Sequence, residues 1–215
     1  MSASRLSGRL SRIRAQERSN ARPDVVAKPI EDASSRNSAR ALEGWTEVAP
    51  YLLERKVSVT APGAAPSFSN HFPLLFPKER GSLEGACSRE GFAETLRFFD
   101  LETTGLSRGA GTVAFMAGVG RLERTAGSAR GKTTYGLSVT QLLLTDFPGE
   151  SAFLSRLDGA MGRGVTLVSF NGKCFDAQIL WNRYLMSGMK PAFLSPDVAH
   201  LDLLFPSRRL WKASL

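Results

Sequence analysis

Cysteine is scarce in this chain. The 215 residues hold two, Cys87 and Cys174, with no C-x-x-C pair, so neither a zinc site nor a disulfide framework is suggested. Cys174 is expected as a small buried residue, and a reducing, cytoplasmic setting is the default. Histidine is equally rare, at two residues, His71 and His200; His71 is expected to pack or hydrogen-bond rather than to hold a metal. Long apolar runs are missing as well. None approaches the ~18–20 residues of a membrane span, and no apolar stretch marks a secretory signal.

Acidic residues are thin at the start of the chain. Residues 1–40 carry nine Lys or Arg against Glu17, Asp24, Glu31 and Asp32, a net +5 out of +8 for the whole. With their Ser, Ala and Asn content, residues 1–43 read as a basic, mostly disordered arm. Leu6, Leu10 and Ile13 fall at i, i+4, i+7 and would allow a short amphipathic helix. The arm is open to three readings: a solvated tail, a nucleic-acid-binding arm, or a mitochondrial transit peptide. A pI near 10.0 points to an anionic partner, with nucleic acid the natural candidate.

The remainder is rich enough in apolar residues, with 13 Phe, to build one sizeable core. Residues 44–91 are expected as an irregular, β-rich lead-in, with a Pro/Gly-rich linker at 61–66 and a Pro-broken apolar segment at 71–77 covering the core. From residue 92 the pattern predicts strands at 96–102, 112–122 and 135–145 and a helix at 150–161. A strand at 165–170 and a helix at 174–186 follow. Three strands, then helix, strand and helix, indicate a mixed sheet in an α/β architecture. Gly127-Ser128-Ala129-Arg130-Gly131-Lys132-Thr133 has three residues between its glycines where a P-loop has four, and it joins two predicted strands. It reads as a basic hairpin tip, and no nucleotide triphosphate is expected as a ligand.

Chemistry concentrates in two segments. In Phe99-Asp100-Leu101-Glu102-Thr103-Thr104-Gly105-Leu106, two carboxylates one residue apart share a strand face about 7 Å apart. Like charges on one face repel and tolerate burial poorly, and a divalent cation with a preference for oxygen ligands would remove both objections. A strand ending in solvent, with Thr-Thr-Gly as an ordinary turn, is the alternative. In the second segment, Val165–Phe170 is a β-rich run leading into Asn171-Gly172-Lys173-Cys174-Phe175-Asp176. Phe175, Ile179, Leu180 and Tyr184 then recur at helical spacing. Asp176 thus falls in a first helical turn, where the helix dipole favours a carboxylate with or without chemistry. Gly172 would permit close approach of backbone or ligand.

In this order and spacing the two segments resemble the first two motifs of the DEDD exonuclease superfamily, and most of all its bacterial YprB-like branch. Gly109–Phe115 is similar to the glycine-rich turn and strand that follow the first motif. His200-Leu201-Asp202-Leu203-Leu204 and Arg208-Arg209-Leu210-Trp211-Lys212 are similar to the segment after the second. The resemblance covers residues 95–215, and more loosely 44–76.

It implies a ribonuclease-H-like mixed sheet flanked by helices, and a metal-dependent nuclease working 3′-to-5′ on single-stranded DNA or RNA. It implies Asp100, Glu102 and Asp176 as catalytic ligands of two Mg²⁺ or Mn²⁺ ions, and Thr103, Asn171, Gly172 and Phe175 as substrate contacts. Arg208, Arg209 and Lys212 around Trp211 could grip phosphates beside an aromatic platform, or form a solvated end with a buried Trp. The third motif of that superfamily, a His or Tyr shortly before a fourth acidic ligand, has no counterpart before Leu215. The domain is therefore expected to be C-terminally incomplete, with an apolar sheet face left exposed. Asp202 could stand in as fourth ligand, or hydrogen-bond to backbone or an Arg. The competing function is a catalytically impaired nucleic-acid-binding or accessory protein that keeps the fold.

Overall fold

The computed structural model describes residues 42–60, 72–87, 89, 91–105, 111–125 and 134–212. The basic arm, His71, Gly109-Ala110 and the 127–133 hairpin tip lie outside them.

Seven strands of the described residues form one sheet: β1 (Thr46–Ala49), β2 (Leu52–Thr60), β3 (Leu96–Thr103), β4 (Ala114–Thr125), β5 (Thr134–Leu144), β6 (Thr166–Ser169) and β7 (His200–Asp202). Their spatial order is β1-β2-β5-β4-β3-β6-β7. The first five run antiparallel to their neighbours, whereas β6 pairs in parallel with both β3 and β7. The 44–91 stretch, expected as an irregular lead-in, thus supplies two strands to this same sheet.

Six α-helices of the described residues accompany the strands: α1 (Phe72–Leu75), α2 (Arg80–Leu83), α3 (Phe92–Thr95), α4 (Glu150–Met161), α5 (Asp176–Met186) and α6 (Leu204–Leu210). In α4 the buried residues are Phe153, Leu154, Leu157 and Met161, one stripe at helical spacing, and Gly162 at φ +76° stops the helix. That stripe meets Phe99, Leu101, Ala117, Val119, Leu142 and Leu144 in the main core. Alternation along β3 sends Leu96 and Phe98 to the opposite face, where Leu96 joins Phe76, Leu83 and Phe92 in a second cluster with Phe98 packed against it. The Pro-broken 71–77 segment is therefore partly helical, and its Phe76 is an anchor on that second face.

Two ion pairs brace the first face. Arg156 grips Glu54 through Nε (2.5 Å) and Nη2 (3.0 Å), and this bond chiefly holds the buried Glu54 carboxyl below the usual carboxylate range. Arg183 of α5 grips Glu150 of α4 in the same two-pronged manner. On the second face an apolar groove of about 560 Å³ remains, floored by Phe98, Gly118, Gly120, Leu137 and Val139 and bordered by Asp100, Phe170 and Leu203. No helix of the described residues is long and apolar enough to cross a membrane.

Candidate functional site

The parallel trio β3-β6-β7 sets the site, because parallel strands deliver their C-terminal ends to one edge. Asp100 lies opposite Gly118 and Glu102 opposite Met116, both on the groove face and both exposed, while Phe99 and Leu101 between them are buried. A register irregularity between Glu102 and Thr103 ends the regular pairing. The chain beyond is pinned by Thr104, whose N–H donates to Val113 O (3.0 Å) and whose hydroxyl oxygen accepts the Val113 N–H (3.1 Å). The Thr103 hydroxyl donates to Gly105 O at 3.0 Å.

The second carboxylate segment begins at Ser169, the last residue of β6, which pairs with Asp202 of β7. Asn171 adopts φ +63°, a left-handed conformation that Asn tolerates better than most residues. The turn it makes lays Gly172 against Ser169 and Asp176, and the Gly172 carbonyl accepts the Ala177 N–H at 2.8 Å to start α5. Asp176, in the first turn of α5, is 4% exposed. Its carboxyl is pushed up to about 6, by burial first and then by the charges of Asp100, Asp202 and Glu102.

Asp202 is 1% exposed and accepts three backbone N–H groups: Asn171 (2.7 Å) and Leu204 (3.0 Å) on Oδ1, Lys173 (3.0 Å) on Oδ2. Of the two roles open to it from sequence, bonding to backbone is the one present. Beside it, His200 Nε2 meets Ser169 Oγ at 2.8 Å, and burial chiefly, with Lys173, lowers that imidazole to about 4. The Lys173 ammonium pairs with Glu79 and reaches the His200 carbonyl at 3.5 Å. Sequence reading missed the Ser169–His200 and Lys173–Glu79 contacts, which depend on pairing across about 30 and 94 residues.

The other expected contacts are more dispersed. Phe175 is half-buried and Asn171 exposed. Arg208 and Arg209 lie in the last turn of α6, both exposed, with Arg209 bonded to Leu75 O. Trp211 is 55% exposed, an open ring rather than a buried one. Cys174, expected to be buried, is exposed because the turn points it away from the β6–α5 packing; it and Cys87 are free thiols.

A divalent ion suits this chemistry. A nearly buried acid among three others is an uncompensated charge cluster, and hard cations take carboxylate oxygens. Among the described residues no three Asp, Glu, His or Cys side chains are gathered to ligating distance. Asp100 and Glu102 are within electrostatic reach of Asp176.

Residues 97–215, more than half of the chain, match the family RNase_H_2 of the RNase_H superfamily. The chain is 34% identical over 152 residues to the uncharacterized protein YprB of Bacillus subtilis (strain 168), covering 68% of this chain and 33% of that one, so it spans about a third of that relative's length. A structure of exonuclease I, described as suggesting how processivity is achieved, overlaps 54% of the chain and 29% of its own at 17% identity and a TM-score of 0.40. E. coli exonuclease I in complex with a dT13 oligonucleotide overlaps the same shares at 18% identity and 0.40. With the family matched over most of its length on a mixed sheet flanked by helices, the chain belongs to the RNase_H superfamily.

Proposed function

We propose that this chain is the carboxylate-bearing part of a metal-dependent nuclease that hydrolyses phosphodiester bonds in single-stranded DNA or RNA. The observation that carries the reading is the convergence on Asp176: a nearly buried acid at the start of α5, raised to about 6 by burial first and then by the charges of Asp100, Asp202 and Glu102, which reach it from two strands. Asp100 and Glu102 would hold one Mg²⁺ or Mn²⁺, and Asp100 with Asp176 a second. When bound, such ions supply an activated water and stabilise the charge on the leaving oxygen.

The chain's own residues do the rest. Thr103 and Thr104 fix the turn that follows Glu102. Asn171, Gly172 and Phe175 shape the wall through which a terminal nucleotide would approach, and Arg208 and Arg209 take up phosphate charge further along the strand. The basic arm adds sequence-independent attraction for the backbone. The 3′-to-5′ polarity is carried over from the family resemblance.

A second reading has its own support. Among the described residues no ready-made ligand set exists, and Asp202 is committed to backbone. Both favour a nucleic-acid-binding or accessory protein without turnover. One experiment separates them: calorimetric titration of Mn²⁺ into wild type and Asp100→Asn, followed by incubation of each with an end-labelled single strand. The nuclease reading expects metal binding and strand loss in wild type and neither in the variant. Equal metal affinity in both proteins sinks the site assignment, and a strand bound but uncut supports the accessory role.

A further inference from the structure

We infer that Asp202 is a positioning residue for Asp176: by gripping the backbone of the Asn171–Lys173 turn, it sets where that carboxylate stands, and it does not itself act as the fourth ligand. The inference rests on the reading of Asp176 as a metal ligand.

The argument begins with donor geometry. A carboxylate offers about four acceptor sites on two oxygens. In Asp202 Oδ1 takes the N–H groups of Asn171 and Leu204, and Oδ2 takes that of Lys173. The donors come from two separate stretches, the turn after β6 and the start of α6, and Asp202 is the residue that ties them. At 1% exposure it sits behind the turn, with its oxygens directed at backbone.

The turn then transmits the grip. The left-handed Asn171 brings its own N–H and that of Lys173 to the same carboxylate, and between them lies Gly172. A Cβ on Gly172 would stand 2.7 Å from Ser169 Oγ and 3.1 Å from Asp176 Oδ2, so the backbone there has no room for a side chain beside that carboxylate. Ser169 is braced from behind by His200 Nε2. From Gly172 O to Ala177 N the same turn fixes the first turn of α5. Moving Asp202 therefore moves the turn, and through the Gly172 O–Ala177 N bond it moves the first turn of α5, which carries Asp176.

The test is a double-mutant cycle on Mn²⁺ affinity with Asp202→Asn, Asp202→Glu, Asp176→Asn and the pair Asp202→Asn/Asp176→Asn. Removing an outer-shell partner of a metal site weakens metal binding roughly 10- to 100-fold. We expect about a tenfold loss in Asp202→Asn and no further loss when the same change is added to Asp176→Asn, since the effect passes through Asp176. Asp202→Glu keeps the charge but shifts the oxygens by a methylene, and it should behave like Asp202→Asn. A full loss added on top of Asp176→Asn makes Asp202 a direct ligand, and wild-type affinity in Asp202→Glu reduces it to a neighbouring charge. Unchanged affinity in Asp202→Asn makes it purely structural. Each of these overturns the inference.

Amide hydrogen exchange on the wild-type protein tests the grip without metal and without any variant. The Asn171 and Lys173 amides should exchange slowly although Asn171 is exposed; fast exchange overturns the inference. If exchange is slow but Asp176→Asn binds Mn²⁺ as wild type does, the metal reading of Asp176 fails, and its positioning by Asp202 toward a metal fails with it.

Discussion

Gly172 leaves no room for a side chain beside Asp176: a Cβ on Gly172 would lie 3.1 Å from Asp176 Oδ2 and 2.7 Å from both Cβ and Oγ of Ser169. Gly172→Ala is therefore expected to destabilise the protein by about 1–3 kcal/mol, as overpacking of a fixed neighbourhood does. Ser169→Ala should not rescue it, because the Ser169 Cβ is itself one of the clashing atoms, whereas Ser169→Gly should rescue in part. Urea unfolding of the four proteins checks this. Wild-type stability in Gly172→Ala would mean that the turn is looser than described.

Asp176 gives the metal-free protein a pH signature. Its folded carboxyl is raised from 3.8 to about 6, so its contribution to stability is fully present below the lower value and is lost as pH rises through the higher one. Asp176→Asn should hence be the more stable protein near pH ~7, by about 1–2 kcal/mol after allowance for relaxation around the site, with the gap closing by pH ~4. Mn²⁺ should raise the melting temperature of wild type more at pH ~7 than at pH ~5, and that of the variant little at either. Thermal unfolding with and without metal decides the point; a variant no more stable than wild type at neutral pH counts against the clustered charge.

His200 pulls the other way. Buried beside Ser169 and near Lys173, its imidazole is lowered from 6.5 to about 4. Its contribution is present above the upper value and is lost as pH falls through the lower one. Replacing it with Gln, which can still meet the Ser169 hydroxyl, should flatten the loss of stability between pH ~6.5 and ~4. An identical acid limb in His200→Gln and wild type would place the acid sensitivity elsewhere.

The groove beside Asp100 should bind a hydrophobic dye, since apolar patches of this kind are uncommon on monomers and serve as contact surfaces. Leu137→Lys puts a charge on its floor. Dye fluorescence should drop, while stability shifts by no more than about 1 kcal/mol because Leu137 is only half-buried. Dye binding that is equal in both proteins would locate the patch on another surface.

Much of this fold was legible because its periodicities are strong. The helix predicted at 150–161 is α4 to the residue, β3 runs one residue past the strand predicted at 96–102, and β5 is the strand predicted at 135–145 moved back by one residue. Asp100 and Glu102 share a face because alternation in β3 is uninterrupted until the irregularity at Thr103. Less was visible in the second segment. The spacing gave a turn and a helix start, but not that Asn171 is left-handed or that Gly172 is packed against a carboxylate. Asp202 shows why. Its partners lie about 30 residues upstream and reach it only once β6 and β7 pair in parallel, and no local pattern encodes such pairing. Cys174 escaped for a similar reason, since the face it takes is set by that turn and not by any helical period.

The length of β4 has a practical side. Gly118, opposite Asp100, is seven residues from Thr125, which at ~3.4 Å per residue is about 24 Å. Thr125 and its partner Thr134 form the far end of the β4–β5 ladder, and their hydroxyls meet at 2.6 Å in an exposed position. A fluorophore or surface tether placed there would leave the carboxylate edge free on the opposite rim of the sheet. The protein could then be immobilised by one end while the proposed binding of a nucleic-acid strand is tested at the other.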